Sequence, residues 1–218
     1  MIKAIFFDLD GTLADSGEGI MRCAQYALDK MGIHIDNYRT LRKFVGPPLE
    51  DSFKDFYGMD SSEAQQAIAY YRERFFDKGM YEIYIYPGVE ECLQRVSGTG
   101  FKLAIATSRT ASSARQILDR FSLTRYFDCI GGRDQDYRLH TKAEVIADTL
   151  RQLHLQSSEA VMVGDRRFDI EGAHAQGLDS IGILWGYGDR EEMTEAKAGH
   201  IISDMGELTE YLTRLPHS

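Results

Sequence analysis

Apolar positions along this chain follow two different rhythms. Ile2 to Phe7 is a short, unbroken, β-prone apolar run that stops at Asp8-Leu9-Asp10-Gly11, which predicts a buried strand opening into a polar loop. The rhythm then becomes helical. Ile20, Cys23, Ala24, Ala27, Leu28 and Met31 recur at i, i+3, i+4, i+7 after Ser16, a residue able to cap a helix, and Gly32 stops the run. Two short helices are expected within Leu41 to Phe56, separated by Gly46-Pro47-Pro48. A longer one is expected from about Ser62 to Lys78, with Ala64, Ala67, Ile68, Tyr71 and Phe75 on one face.

Beyond Tyr86-Pro87-Gly88, strand and helix patterns alternate. Strands are expected at Lys102 to Ala106, Phe127 to Ile130, Ala160 to Val163, Ser180 to Leu184 and His200 to Ile202. Helices are expected at Val89 to Val96, Ser112 to Phe121, Lys142 to Leu153, Ile170 to Gln176 and Met205 to Leu212. Alternation of this kind implies an α/β fold, a parallel sheet covered on both faces and doubly wound by right-handed crossovers (Rossmann-like). The expected division is a core of residues 1–15 and 83–218 with an all-helical insertion, 16–82, after the first strand. Such sheets bind ligands at the carboxyl ends of their strands.

Composition narrows the function classes. Of 218 residues, 43% are hydrophobic and 27% charged, as in a globular protein. No apolar run approaches the roughly 18 residues of a membrane span, and the opening residues do not read as a secretory leader. A net charge of −9 argues against a nucleic-acid partner. The three cysteines, Cys23, Cys92 and Cys129, form no CxxC pair, which fits a reducing, cytoplasmic setting. The six histidines show no metal-ligand spacing.

Four polar clusters stand at expected strand ends or helix starts: Asp8-Leu9-Asp10-Gly11-Thr12, Thr107-Ser108-Arg109, Lys142, and Gly164-Asp165 with Asp169. A parallel sheet puts all four along one edge, crowding four carboxylates together. Two like charges about 4 Å apart repel by roughly 4 kcal/mol at an effective dielectric near 20, so positive charge must gather there as well. Lys142 supplies one charge. A divalent cation with oxygen ligands supplies two more, and Mg²⁺ suits one or two carboxylates together with a phosphate oxygen and waters.

Taken in order and spacing, these clusters resemble the four motifs of the haloacid dehalogenase-like hydrolase superfamily, and the likeness extends over nearly the whole chain. The helical insertion resembles that family's cap. Phe44-Val45-Gly46-Pro47-Pro48-Leu49 resembles a cap segment of its phosphoglycolate phosphatase-like branch. The resemblance implies a Mg²⁺-dependent phosphatase in which Asp8 is the nucleophile and Asp10 the acid and base. It also implies that Thr107 and Lys142 contact the transferring group, that Asp8, Asp10 (through its main-chain carbonyl) and Asp165 hold the metal, and that Asp169 ligates it or orients its waters. A haloacid dehalogenase has no need of a second acid, so Asp10 favours phosphoryl transfer. Ser108, Arg109, Lys43 and Gly46 are the candidate substrate contacts, and Gly186-Tyr187-Gly188 is expected to border the pocket. The expected partner is a small phosphorylated metabolite, without nucleic acid or membrane, for a monomer or weak homodimer. A phosphosugar mutase and a non-catalytic phosphate-binding module remain alternatives. For Lys142 and for Asp165 with Asp169, the bland readings are an exposed first-turn lysine and a solvated acidic face. The aromatic residues from Tyr70 to Tyr86 are expected in packing rather than in base stacking.

Overall fold

The computed structural model describes residues 1–133 and 141–216. It resolves into two compact units, Met1–Leu13 with Ile85–Ser218, and Ala14–Tyr84. Among the described residues, no helix is long and apolar enough to cross a membrane.

The first unit begins with β1 (Ala4–Phe7), whose four residues are all fully buried. Ala14–Asp15 (β2) is a two-residue strand where the chain enters the second unit. That unit is helical: α1 (Gly17–Lys30), a 3₁₀ turn at Tyr38–Phe44, α2 (Leu49–Tyr57) and α3 (Ser61–Asp77). Asp60 and Glu63 cap α3 reciprocally, satisfying two amide donors at its start. Ser16 occupies the N-cap position of α1 but its side chain makes no cap bond. Asp15 does that work instead, accepting from the Gly17 amide at 3.3 Å. The expected apolar face of α3 is buried, with the Tyr71 and Phe75 rings stacked at 6.2 Å. Packing does not take up every aromatic residue: Phe76, Tyr81 and Tyr84 are exposed, because the i, i+3, i+4 stripe leaves Phe76 on the far side of the helix.

The chain returns through β3 (Tyr84–Ile85), which pairs with β2. It then runs through α4 (Val89–Ser97), β4 (Lys102–Thr110), α5 (Ala111–Arg120), β5 (Cys129–Arg133), α6 (Lys142–Leu153), β6 (Ala160–Gly164), α7 (Arg167–Gln176), β7 (Asp179–Ile183), α8 (Arg190–Glu195), β8 (His200–Ile202) and α9 (Met205–Thr213). Six strands form one sheet in the order β5-β4-β1-β6-β7-β8, every pairing parallel. Side chains alternate across it. Ala4, Phe6, Ala104, Ala106 and Met162 therefore share one face, packed with Val145, Ile146 and Leu150 of α6 and Ala173 of α7. This is the doubly wound α/β core. Its strand order reverses between β1 and β6, the kind of crevice where such sheets bind ligands. All three cysteines are free and buried.

Candidate active site

Two strands at that crevice bring the acidic residues together. β1 pairs Phe7 with Ile105 of β4 and with Val163 of β6. The amide of Asp8 then donates to Val163 O at 2.9 Å, which carries the ladder one residue past the strand. Asp8 is thereby fixed beside Gly164 and Asp165. Asp169 follows in the first turn of α7, where its Oδ2 accepts from the Arg166 amide at 3.0 Å. Side-chain oxygens of Asp8, Asp165 and Asp169 all lie within 4.8 Å of one another, and all three residues are buried.

Lys142 is the first residue of α6, whose start is fixed by a reciprocal cap between Thr141 and Glu144. It is buried, which removes the reading of an exposed first-turn lysine. Its Nζ lies 2.7 Å from Asp8 Oδ1, 2.7 Å from Asp169 Oδ1 and 2.9 Å from Ala106 O, so each of the three ammonium donors has an acceptor. Gly172 of α7 makes room for the stem: a Cβ there would sit 2.9 Å from Lys142 Cγ.

Asp165 is held by Thr12, from the first polar cluster, and by Tyr187 and Gly188, from the loop expected to border the pocket. Its Oδ1 accepts from the Thr12 hydroxyl at 3.3 Å, its Oδ2 from the Tyr187 amide at 2.8 Å, and its carbonyl from the Gly188 amide at 3.1 Å. The Trp185 indole N–H donates to Thr12 O at 3.0 Å. Gly11 (φ +90°) and Gly186 approach Asp165 so closely that a Cβ on either would collide with its carboxylate. Glu192, on α8, steadies the loop after β6 by accepting from Arg166 Nε (2.9 Å) and from the Arg167 amide (2.8 Å). The DxDGT run and the glycines around Tyr187 were the available signals; α8 had none.

Asp10 is arranged differently from the other three carboxylates. Arg109 grips it with two parallel bonds, Nε to Oδ2 at 2.5 Å and Nη2 to Oδ1 at 2.9 Å. The expected crowding of four carboxylates is therefore a cluster of three, with Asp10 close by and already paired. Thr107 is buried near the end of β4, Ser108 is half-buried, and the Arg109 amide donates to Thr107 Oγ1 at 3.3 Å. Thr110, not Thr107 or Ser108, caps α5. In the second unit, the Lys43 ammonium lies over the rings of Phe56 (4.5 Å) and Tyr57 (4.9 Å), and Gly46 adopts φ +110°.

Charge and spacing fit a divalent cation. Three carboxylates less one ammonium leave a formal −2. Octahedral Mg²⁺ with ligands at about 2.1 Å sets its oxygens roughly 3–4.2 Å apart, within the span of this cluster. Burial, aided by Asp169 and Asp10 and opposed by Lys142, pushes the Asp8 carboxyl up to about 7. Burial, with Asp169 and Asp8, pushes Asp165 well above the usual carboxylate range. Burial also works against the charge of Lys142, yet Asp169 and Asp8 prevail and move its pKa upward.

These shifts set a pH window. Without a cation, the folded protein binds more protons than the unfolded chain between about pH 4 and 7. The contribution of these carboxyls to stability therefore falls as pH rises through that window and is lowest above it. A cation replaces those protons. Added Mg²⁺ is thus expected to raise the melting temperature of chelator-treated protein more at pH 8 than at pH 5. Equal gains at both pH values, read by thermal unfolding, would reject the cluster as the cation site.

Residues 5–183 match the model of a family described as haloacid dehalogenase-like hydrolase. The chain is 38% identical over 208 residues to a 5'-nucleotidase of Pseudomonas aeruginosa, covering 95% of this chain and 94% of that one. It is 35% identical over 186 residues to the tyrosine-protein kinase PtkA of Mycobacterium tuberculosis, covering 85% of this chain and 63% of that protein. A solved structure described as a predicted phosphatase from Clostridium acetobutylicum matches with a TM-score of 0.96 and 41% identity, over 99% of this chain and all of the other.

Proposed function

The chain belongs to the haloacid dehalogenase-like hydrolase family, and on that premise we propose that it is a magnesium-dependent phosphatase of small phosphate monoesters, carrying the phosphoryl group on Asp8. The observation that carries this reading is the Asp8 carboxylate, 2.7 Å from a buried lysine and clustered with Asp165 and Asp169.

Asp8, Asp165 and Asp169, with the main-chain carbonyl of Asp10, would hold the cation. When bound, Mg²⁺ supplies Lewis-acid stabilisation of charge on the phosphoryl oxygens. In the first displacement an Asp8 oxygen forms a bond to phosphorus as the ester P–O bond breaks, and the departing oxygen takes a proton from the Asp10 carboxyl. In the second, water gives a proton to Asp10 as its oxygen bonds phosphorus; the Asp8–phosphorus bond breaks and inorganic phosphate leaves. Lys142 keeps Asp8 ionised for attack and offsets charge as it spreads over the equatorial oxygens. Thr107 donates to one of those oxygens. Ser108, Lys43 and Gly46 are the proposed substrate contacts, while Arg109 is engaged with Asp10.

The likeness to a 5'-nucleotidase supports beginning a substrate panel with nucleoside 5'-monophosphates, followed by phosphoglycolate and sugar phosphates. Mg²⁺-dependent release of inorganic phosphate is the expected result. Interconversion of sugar phosphates without free phosphate would replace hydrolysis by a mutase reading. Full activity in excess chelator would remove the metal.

A further inference from the structure

The strand that carries Thr107 is irregular where it meets Asp10. Between β4 and β5, Thr107 pairs with Gly132 and Thr110 with Arg133, so three steps along one strand match a single step along the other. Ser108 and Arg109 are the surplus residues of a bulge, a device that re-aims side chains. The Arg109 amide turns back onto Thr107 Oγ1, and Gly132 admits the bulge: a Cβ there would sit 2.7 Å from Arg109 O. The bulge sends the guanidinium to a carboxylate 99 residues away in sequence, where it bonds both oxygens. The two side chains are only 12% and 11% exposed.

We infer that Arg109 is a positioning residue that fixes the side chain of Asp10, and with it the two oxygens that take part in proton transfer. This rests on the proposed role of Asp10 in phosphate-ester hydrolysis. The two-pronged guanidinium grip needs two acceptor oxygens. The fork fixes the plane in which the Asp10 carboxyl lies, and so where its oxygens can meet the departing oxygen and the attacking water.

The test compares kcat and KM for p-nitrophenyl phosphate, whose leaving group needs no proton, and for the best alkyl ester of the panel. The proteins are the intact wild type, Asp10→Asn, Arg109→Ala, Arg109→Lys and the Asp10→Asn/Arg109→Ala double variant. Arg109→Ala is expected to lower kcat for the alkyl ester by about tenfold or more and kcat for p-nitrophenyl phosphate by a smaller factor, while both KM values stay within about threefold. Arg109→Lys is expected to behave the same way, since an ammonium cannot make the fork. The double variant is expected to be no worse than Asp10→Asn alone. Three results would overturn the inference: a rise in KM for both esters with kcat kept, which makes Arg109 a substrate contact; losses that multiply in the double variant; or wild-type kcat for Arg109→Lys on the alkyl ester, which also decides the matter should Arg109→Ala fail to fold. Equal losses on the two esters in Asp10→Asn would instead remove the acid role of Asp10 itself, whatever the Arg109 variants do.

Discussion

Asp8→Asn is expected to cut turnover of p-nitrophenyl phosphate by at least about 10³-fold and to leave the fold intact. The amide has nearly the same shape, and its Oδ1 can still accept from Lys142, which now lies 2.7 Å from Asp8 Oδ1. What it lacks is the charge that attacks phosphorus. A thousandfold loss corresponds to about 4 kcal/mol of barrier. Stability should move the other way in chelator. The substitution removes one of three clustered, buried carboxylates, relieving the repulsion that burial intensifies. The variant should therefore melt at or above the wild-type temperature without Mg²⁺ and gain less when Mg²⁺ is added. Retention of most wild-type turnover would remove Asp8 as nucleophile. A collapse of the melting temperature would show that the loss of activity says nothing about chemistry.

Lys142→Met is expected to damage both properties. Asp8, Asp169 and Ala106 O all lose a donor in a buried setting. Breaking a buried pair in this way costs about 3–5 kcal/mol, or roughly 10 °C in a chain of this size. The cluster then carries a formal −3 in place of −2. Mg²⁺ should restore part of the stability by neutralising Asp8, Asp165 and Asp169. It should not restore turnover, which stays at least about 10²-fold down because nothing offsets charge on the oxygens facing α6. Thermal melts and steady-state rates with and without Mg²⁺ decide this. A Lys142→Met protein with near-wild-type turnover would reduce the lysine to a structural counter-ion.

The sheet was legible because its strands carry short apolar runs between helices with 3.6-residue spacing. The acidic cluster was legible because strand ends and short polar motifs coincide. Other features depend on distances that no local pattern encodes. α8 is six residues long with one buried side chain, Met193, too few to show a period. α7 begins at Arg167, three residues ahead of the expected Ile170, because Asp169 caps it by accepting from the Arg166 amide. β4 runs on to Thr110 through its bulge, which follows from the small residue opposite, Gly132. The partnership of Arg109 with Asp10 joins residues 99 positions apart, and periodicity is silent on which way a side chain turns there.

The order in which the chain is synthesised gives β1 a particular burden. Its two neighbours, β4 and β6, begin only at Lys102 and Ala160, so the apolar Ala4–Phe7 segment has no strand partner until β4 is made and no second one until β6 follows. Asp8 emerges 134 residues ahead of Lys142, and Asp165 and Asp169 follow later still. A truncated product ending before Ala160 would keep a sticky, half-matched strand and own no catalytic centre, a liability for proteostasis with no metabolic return.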